Sequence, residues 1–228
     1  IARRQRQMCI RDRNIEVVTV PDAYPMGWER VLIRELFKKE YDRFPGEIGI
    51  IVNNATTAIY LSEALRDKKP ITHRIVTISG EGVKNPENVY VPIGTSVDYI
   101  IEKIGGYTEN VNEMFVLGGG PMMGKSIAND TFVVTTYSNS ITVLPKVVEE
   151  ELPCLRCGLC VEHCPAKIQP VQIMNLEKQK NTDGVIAACA DRCITCGLCT
   201  YICPSKIEVT DWVGKAKTRV ANARKAGK

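Results

Sequence analysis

Hydrophobic and polar positions change period several times along the chain. Ile15-Glu16-Val17-Val18-Thr19-Val20 is short and β-branched and predicts a strand. Pro21 to Gly27 supplies turn residues. From Trp28 to Lys39 the apolar Val31, Leu32 and Leu36 recur at helical spacing. Ile48-Gly49-Ile50-Ile51-Val52, bounded by Gly46 and Asn53, predicts a buried strand, and Thr56 to Arg66 a second helix. Strand, helix, strand, helix is the pattern of an α/β layer. A new unit opens near Ile71. His73 to Ser79 alternates as a strand does, Gly80 to Asn88 is turn chemistry, and Val89 to Ile93 is a further strand. Ser96 is placed to cap a helix that runs to Ile104 before Gly105-Gly106. Met114–Leu117, Phe132–Thr135 and Ile141–Leu144 predict three more strands. Glu149-Glu150-Glu151 marks a boundary. Beyond it the prediction is of short helices around cysteine runs and a last helix from Thr210.

The cysteines dominate that last part. Cys154, Cys157, Cys160 and Cys164-Pro165 form one C-x2-C-x2-C-x3-C-P run, and Cys193, Cys196, Cys199 and Cys203-Pro204 form a second. This is the run with which bacterial ferredoxins hold 4Fe–4S clusters. A cubane presents four irons, and each takes one thiolate. Three cysteines on a tight loop cap three irons, and in two-cluster proteins the fourth thiolate comes from the other run. The predicted sets are therefore Cys154, Cys157, Cys160 with Cys203, and Cys193, Cys196, Cys199 with Cys164. Zinc uses four ligands in two pairs and does not need two runs of four. A disulfide framework suits small secreted domains, whereas this chain has 228 residues and can bury a core. Cys189 lies outside both frames and reads as a small apolar residue on a preceding helix.

Composition adds little to this. The net charge of +4 equals the excess in residues 1–13, where five arginines face Asp12. The residues from Asp211 onward are basic, so the intervening body is net acidic. That distribution gives no reason to expect nucleic-acid binding. No apolar run approaches the ~20 residues of a membrane helix. Residues 1–13 fit neither structural period and read as a non-native leader, to be set aside with Cys9; the alternative is a basic arm. With no export signal and thiolate-rich motifs, a reducing cytoplasmic setting is expected, and the chain reads as a fragment of a longer protein.

Gly119-Gly120-Pro121-Met122-Met123-Gly124-Lys125-Ser126 matches the phosphate-binding pattern G-x-x-x-x-G-K-[ST]. A working loop of that kind needs a run of backbone N–H donors and a long helix starting at the lysine. Pro121 removes one donor, and only four residues separate Ser126 from the next β-branched run. The glycines read instead as a tight turn against a neighbouring backbone.

The order of parts resembles the C subunit of the Rnf (Rsx) electron transport complex, a relative of the flavin-bearing NADH-oxidising subunit of respiratory complex I. The resemblance is carried by Tyr24-Pro25-Met26-Gly27, Ile51-Val52-Asn53-Asn54 with Thr57, Gly82-Val83-Lys84-Asn85-Pro86, Gly118 to Gly124, and both cysteine runs. It implies a multidomain chain of α/β and α+β class. Residues 14–70 would be part of a flavin/NADH-type α/β domain, 71–112 an SLBB-like β-grasp module, and 113–148 a β-rich connecting segment. Residues 149–210 would be an α-rich two-cluster ferredoxin-like domain and 211–228 a basic C-terminal helix. It also implies that Gly27 and Glu29 approach FMN and that Asn53, Asn54 and Thr57 hydrogen-bond it. Trp28 stands where the complex I relative has a second acidic residue. Asn53-Asn54 before a helix is equally an ordinary cap, and Glu29 an ordinary first-turn acid.

The implied role is an electron-transfer subunit at the cytoplasmic face of a membrane. It would pass electrons between NADH, flavin and a partner through two 4Fe–4S clusters, with Leu155, Leu159, Ile194 and Leu198 shielding them. Its partners would be other subunits of the complex, and a ferredoxin or quinone-side carrier. Alternatives are a soluble cobalamin-reductase-type flavoprotein and a flavin-free ferredoxin-like wire. The last helix would either meet a membrane partner or pack on the cluster domain.

Overall fold

The structure is a computed structural model that describes residues 15–127, 130–147 and 149–227. The leader expected at residues 1–13, with Cys9, lies outside the described residues. The chain forms two compact units, one ending at Asn53 and the other beginning at Asn54.

In the first unit, α1 spans Glu29–Phe37 and buries Val31 and Ile33, while Leu32 is half-buried and Leu36 of the expected apolar face is exposed. Lys38 ends it in a left-handed conformation. The guanidinium of Arg30 donates to the carbonyls of Tyr41 and Asp42 and lies 4.2 Å from the centroid of the Tyr41 ring. Tyr41 donates its hydroxyl proton to Glu29 Oε1 at 2.7 Å. Burial and that carboxylate push the Tyr41 phenol up to about 12. Glu47 accepts from the N–H groups of Asp42, Arg43 and Phe44, and these donors hold its carboxyl below the usual range.

The strands expected at 15–20 and 48–52 do not form. Residues 15–20 are irregular, and Pro45–Ile48 is a 3-10 turn followed by irregular chain in which Ile51 is 81% exposed. A β-branched run becomes a strand only where a neighbouring strand takes its N–H and C=O groups. Among the described residues of this unit there is no such neighbour.

In the second unit, α2 spans Ala55–Asp67 and precedes a five-stranded sheet. Its strands are β1 (His73–Ser79), β2 (Glu87–Pro92), β3 (Met114–Gly118), β4 (Lys125–Ile127) and β5 (Ser140–Pro145), in the order β2-β1-β5-β3-β4. β1 and β5 are parallel, with Ile78 beside Ile141, and the other pairs are antiparallel. Residues 73–92 and 114–145, expected as consecutive pieces, thus share one sheet. Val76 and Ile78 of β1, Val116 of β3 and Ile141 and Val143 of β5 pack with Val97, Ile100 and Ile101 of α3 (Val97–Lys103). Phe132–Thr135 is not a strand of this sheet. Its backbone bonds instead to residues 94–97, through Val134 N–H to Thr95 O and Val97 N–H to Phe132 O, and Val134 is buried there.

The C-terminal part is helical. It comprises α4 (Leu159–Glu162), α5 (Pro170–Lys178), α6 (Thr182–Ala187), α7 (Leu198–Tyr201) and α8 (Val209–Lys225). Val213, Ala216, Val220 and Ala223 of α8 fall on one face at helical spacing and are buried. The first three of them pack with Ile173 and Met174 of α5 and Val185 of α6. Arg219 makes a bidentate pair with the buried Glu177 of α5, both bonds 2.7 Å, Lys217 donates to the Cys193 carbonyl, and Arg224 pairs with Asp191. Of the two roles expected for this helix, packing on the cluster domain is the one the contacts display. Among the described residues no helix is long and apolar enough to cross a membrane.

Candidate cluster-binding site

The two cysteine runs have matching backbones. Arg156 and Thr195 occupy the same left-handed position at φ 55° and 52°, and Gly158 and Gly197 follow at φ 80° and 83°. The first positive-φ residue of each loop turns its N–H back on that loop's first sulfur: Arg156 donates to Cys154 and Thr195 to Cys193, at 3.4 and 3.3 Å. The third cysteine of each run then lies in a one-turn helix, Cys160 in α4 and Cys199 in α7. Two more matched left-handed residues, Lys167 and Lys206, send the chain into α5 and α8.

The thiols gather into two crossed groups. Cys154, Cys157, Cys160 and Cys203 line one cavity of about 750 Å³, with Val171 of α5 and Pro204. Cys193, Cys196, Cys199 and Cys164 line a second, with Pro165, Gly197, Thr210 and Val213. The second space is narrower, about 20 Å³. Among the described residues no three His, Cys, Asp or Glu side chains close on a single ion. Four thiols around a space suit a cubane, in which each thiolate binds its own iron. The donor set therefore fits two 4Fe–4S clusters in number and chemistry.

The two groups differ in burial. Cys154, Cys157 and Gly158 are exposed, whereas Cys196 and Gly197 are buried. Burial pushes the thiols of Cys160, Cys193 and Cys196 up, and Cys199 up to about 11. These side chains are neutral thiols near pH 7 until a metal displaces their protons. The expected shielding holds for Ile194, which is 5% exposed, and not for Leu155, which is 68% exposed. Cys189 joins neither group. It lies half-buried just after α6, rather than on it, beside Lys167, Gln172 and Arg192.

Two neighbouring families match the sequence. Residues 75–126 match the SLBB domain, and residues 153–207 match the 4Fe-4S dicluster domain. The C subunit of the ion-translocating oxidoreductase complex of Rhodobacter capsulatus is 36% identical over 163 residues, covering 69% of this chain and 31% of that protein. Its namesake from Edwardsiella ictaluri is 31% identical over 175 residues, 74% of this chain and 22% of that protein. The C subunit of the proton-translocating ferredoxin:NAD(+) oxidoreductase complex of Clostridium ljungdahlii is 35% identical over 161 residues, 68% and 35% respectively. This chain belongs to the family of those C subunits. It spans about a third or less of the length of these relatives.

The residues that the family resemblance assigned to flavin are placed as follows. Gly27 is exposed in the turn before α1, and Glu29 opens α1 and accepts from Tyr41. Asn53 is exposed at the end of the first unit. Asn54 caps α2, its Oδ1 accepting from the Thr56 N–H and hydroxyl at 2.9 and 2.7 Å, and Thr57 is exposed on that helix. Thus Gly27, Glu29 and Asn53 belong to one unit, Asn54 and Thr57 to the other.

One pair of site residues escaped the motif reading. Thr210 Oγ1 lies 3.1 Å from Cys199 Sγ, and Thr200 bonds to Thr210. Laying the two cysteine copies over one another would have exposed the pair, because the matching positions of the first copy are Val161 and Val171.

Proposed function

We propose that this chain is the cluster-bearing part of the C subunit of a membrane-associated Rnf-type oxidoreductase, carrying electrons between a flavin/NADH site and a partner subunit. The observation that supports it best is the crossed grouping of thiols. Cys154, Cys157, Cys160 and Cys203 would hold one cluster, and Cys193, Cys196, Cys199 and Cys164 the other. Bound there, each cluster supplies a one-electron carrier.

The protein's own groups do the rest. The left-handed residues aim sulfurs and backbone N–H donors inward. Ile168, Ile194 and Val213 keep water from the second group. Lys217, held on the Cys193 carbonyl at 2.6 Å, sets a positive charge near a site whose load is anionic. Gly27, Glu29, Asn53, Asn54 and Thr57 would supply part of an FMN site, and NADH would act in the full-length subunit. The partners would be the other subunits of the complex, which would hold this part at the cytoplasmic face of the membrane.

Two measurements test the reading. Anaerobic reconstitution should load close to eight irons and eight sulfides per chain, in keeping with two 4Fe–4S cubanes. A chain that takes up zinc in their place and no sulfide would contradict the cluster reading. Flavin retained by the full-length subunit, and lost on Asn54→Ala with Thr57→Ala, would support the flavin part; retention in that variant would contradict it.

A further inference from the structure

The two cluster frames repeat position for position, and among the positions where they differ one pair changes together from valine to threonine. The residue after the third cysteine is Val161 in the first copy and Thr200 in the second. The residue seven places after the fourth cysteine is Val171 in the first and Thr210 in the second. Val171 and Thr210 line their respective thiol cavities.

The hydrogen bonds show what the exchange does. In the first copy the Val171 N–H faces the Cys160 sulfur. In the second copy the corresponding Thr210 N–H donates to Thr200 Oγ1 at 2.9 Å instead. The Thr200 hydroxyl donates to Thr210 Oγ1 at 3.0 Å. The Thr210 oxygen is thereby an acceptor, and its own proton is free to point at Cys199 Sγ, 3.1 Å away, as the donor once that sulfur is a thiolate with no proton of its own. A valine pair gives the sulfur a backbone donor. A threonine pair diverts that donor and replaces it with a hydroxyl.

We propose that Thr210, oriented by Thr200, is a positioning residue that sets the reduction potential of the cluster in the second thiol group. This rests on the crossed ligation proposed above. A donor to a ligand sulfur stabilises the more negative, reduced cluster and raises its potential. Burial of the second group acts the other way, since added negative charge is harder to hold away from water. The hydroxyl offsets that effect in the more buried of the two sites.

The test is an EPR-monitored redox titration of the reconstituted chain, with the second cluster's signal assigned by its absence in Cys164→Ser. Thr210→Val removes the hydroxyl while Thr200 still holds the backbone N–H, so the second cluster should shift to lower potential and the first stay in place. Thr200→Val with Thr210→Val recreates the first copy. It frees the N–H to reach Cys199, so the potential should return toward wild type. Thr210→Ser keeps the hydroxyl and should keep the wild-type potential; should Thr210→Val load poorly, Thr210→Ala against Thr210→Ser reads the same difference. An unchanged potential in the hydroxyl-free single variant, or a double variant lower still, overturns the relay. A wild-type chain that loads fewer than two clusters overturns the ligation, and the relay with it.

Discussion

The backbone carbonyl oxygen of Met122 stands 2.5 Å from the point where a Cβ on Gly197 would lie. The turn Gly119–Gly124 from the sheet is thereby seated on the second cysteine run, in the position a side chain would otherwise occupy. At Gly158, the matching glycine of the first run, an added Cβ would meet nothing within 4 Å. Both glycines have the same positive φ, so an alanine at either costs about 1–2 kcal/mol for backbone strain alone. Gly197→Ala should lose clearly more than Gly158→Ala in a urea unfolding midpoint, because it must also displace the Met122 backbone. Equal losses would mean that this turn does not rest on the second run in solution.

The same turn bears on nucleotide binding. Lys125 and Ser126 of the phosphate-loop pattern lie at the start of β4, where that chemistry would need the N-terminus of a helix. Calorimetric titration with Mg-ATP should show no micromolar binding, and Lys125→Ala should leave cluster content unchanged. Micromolar binding lost in that variant would contradict this placement.

What could be read from the residues divides by range. The cysteine runs, their glycines and the alternation of His73–Ser79 are local signals, and local geometry satisfies them. Ile48–Val52 is locally just as β-like, yet what decides a strand is a partner elsewhere in the chain. The parallel pairing of β1 with β5 joins residues over sixty positions apart, which no window of sequence shows. The seating of Met122 on Gly197 is equally non-local. Thr200 and Thr210 were readable only by comparing the two copies. The boundary at Asn53–Asn54 separates the flavin-assigned residues into two units, which the compact motif gave no sign of.

The last helix is held by the Arg219–Glu177 pair, in which the Glu177 side chain is 7% exposed. Arg219→Ala leaves that carboxylate buried without its bidentate partner and should lower the thermal midpoint. Lys215→Ala breaks an exposed pair with Asp211 and should have little effect. Equal midpoints for the two variants would contradict the packing of α8 on α5.

Tyr41 gives the first unit a pH signature. Its phenol is raised from the ordinary value of about 10 to about 12 by burial and by Glu29. The folded state therefore keeps a proton that the unfolded state releases. The stability this contributes is complete below about pH 10 and is lost as pH rises toward about 12. Spectrophotometric titration of tyrosinate should show a late-ionising fraction that Tyr41→Phe reduces; an unchanged late fraction would contradict the Tyr41–Glu29 contact. Tyr107, half-buried and bonded to Asp130 at 2.8 Å, is raised in the same direction and should remain in that fraction.

Crossed ligation is tested most directly by removing one fourth cysteine at a time and reading which cluster suffers. In reconstituted Cys203→Ser the cluster of Cys154, Cys157 and Cys160 should be lost or altered in its EPR signal and iron content, while the other stays intact. In Cys164→Ser the cluster of Cys193, Cys196 and Cys199 should be the one affected. Each signal can be assigned independently through Cys157→Ser and Cys196→Ser. The contradicting result is the uncrossed pattern, in which Cys164→Ser and Cys157→Ser remove the same signal and Cys203→Ser and Cys196→Ser remove the other.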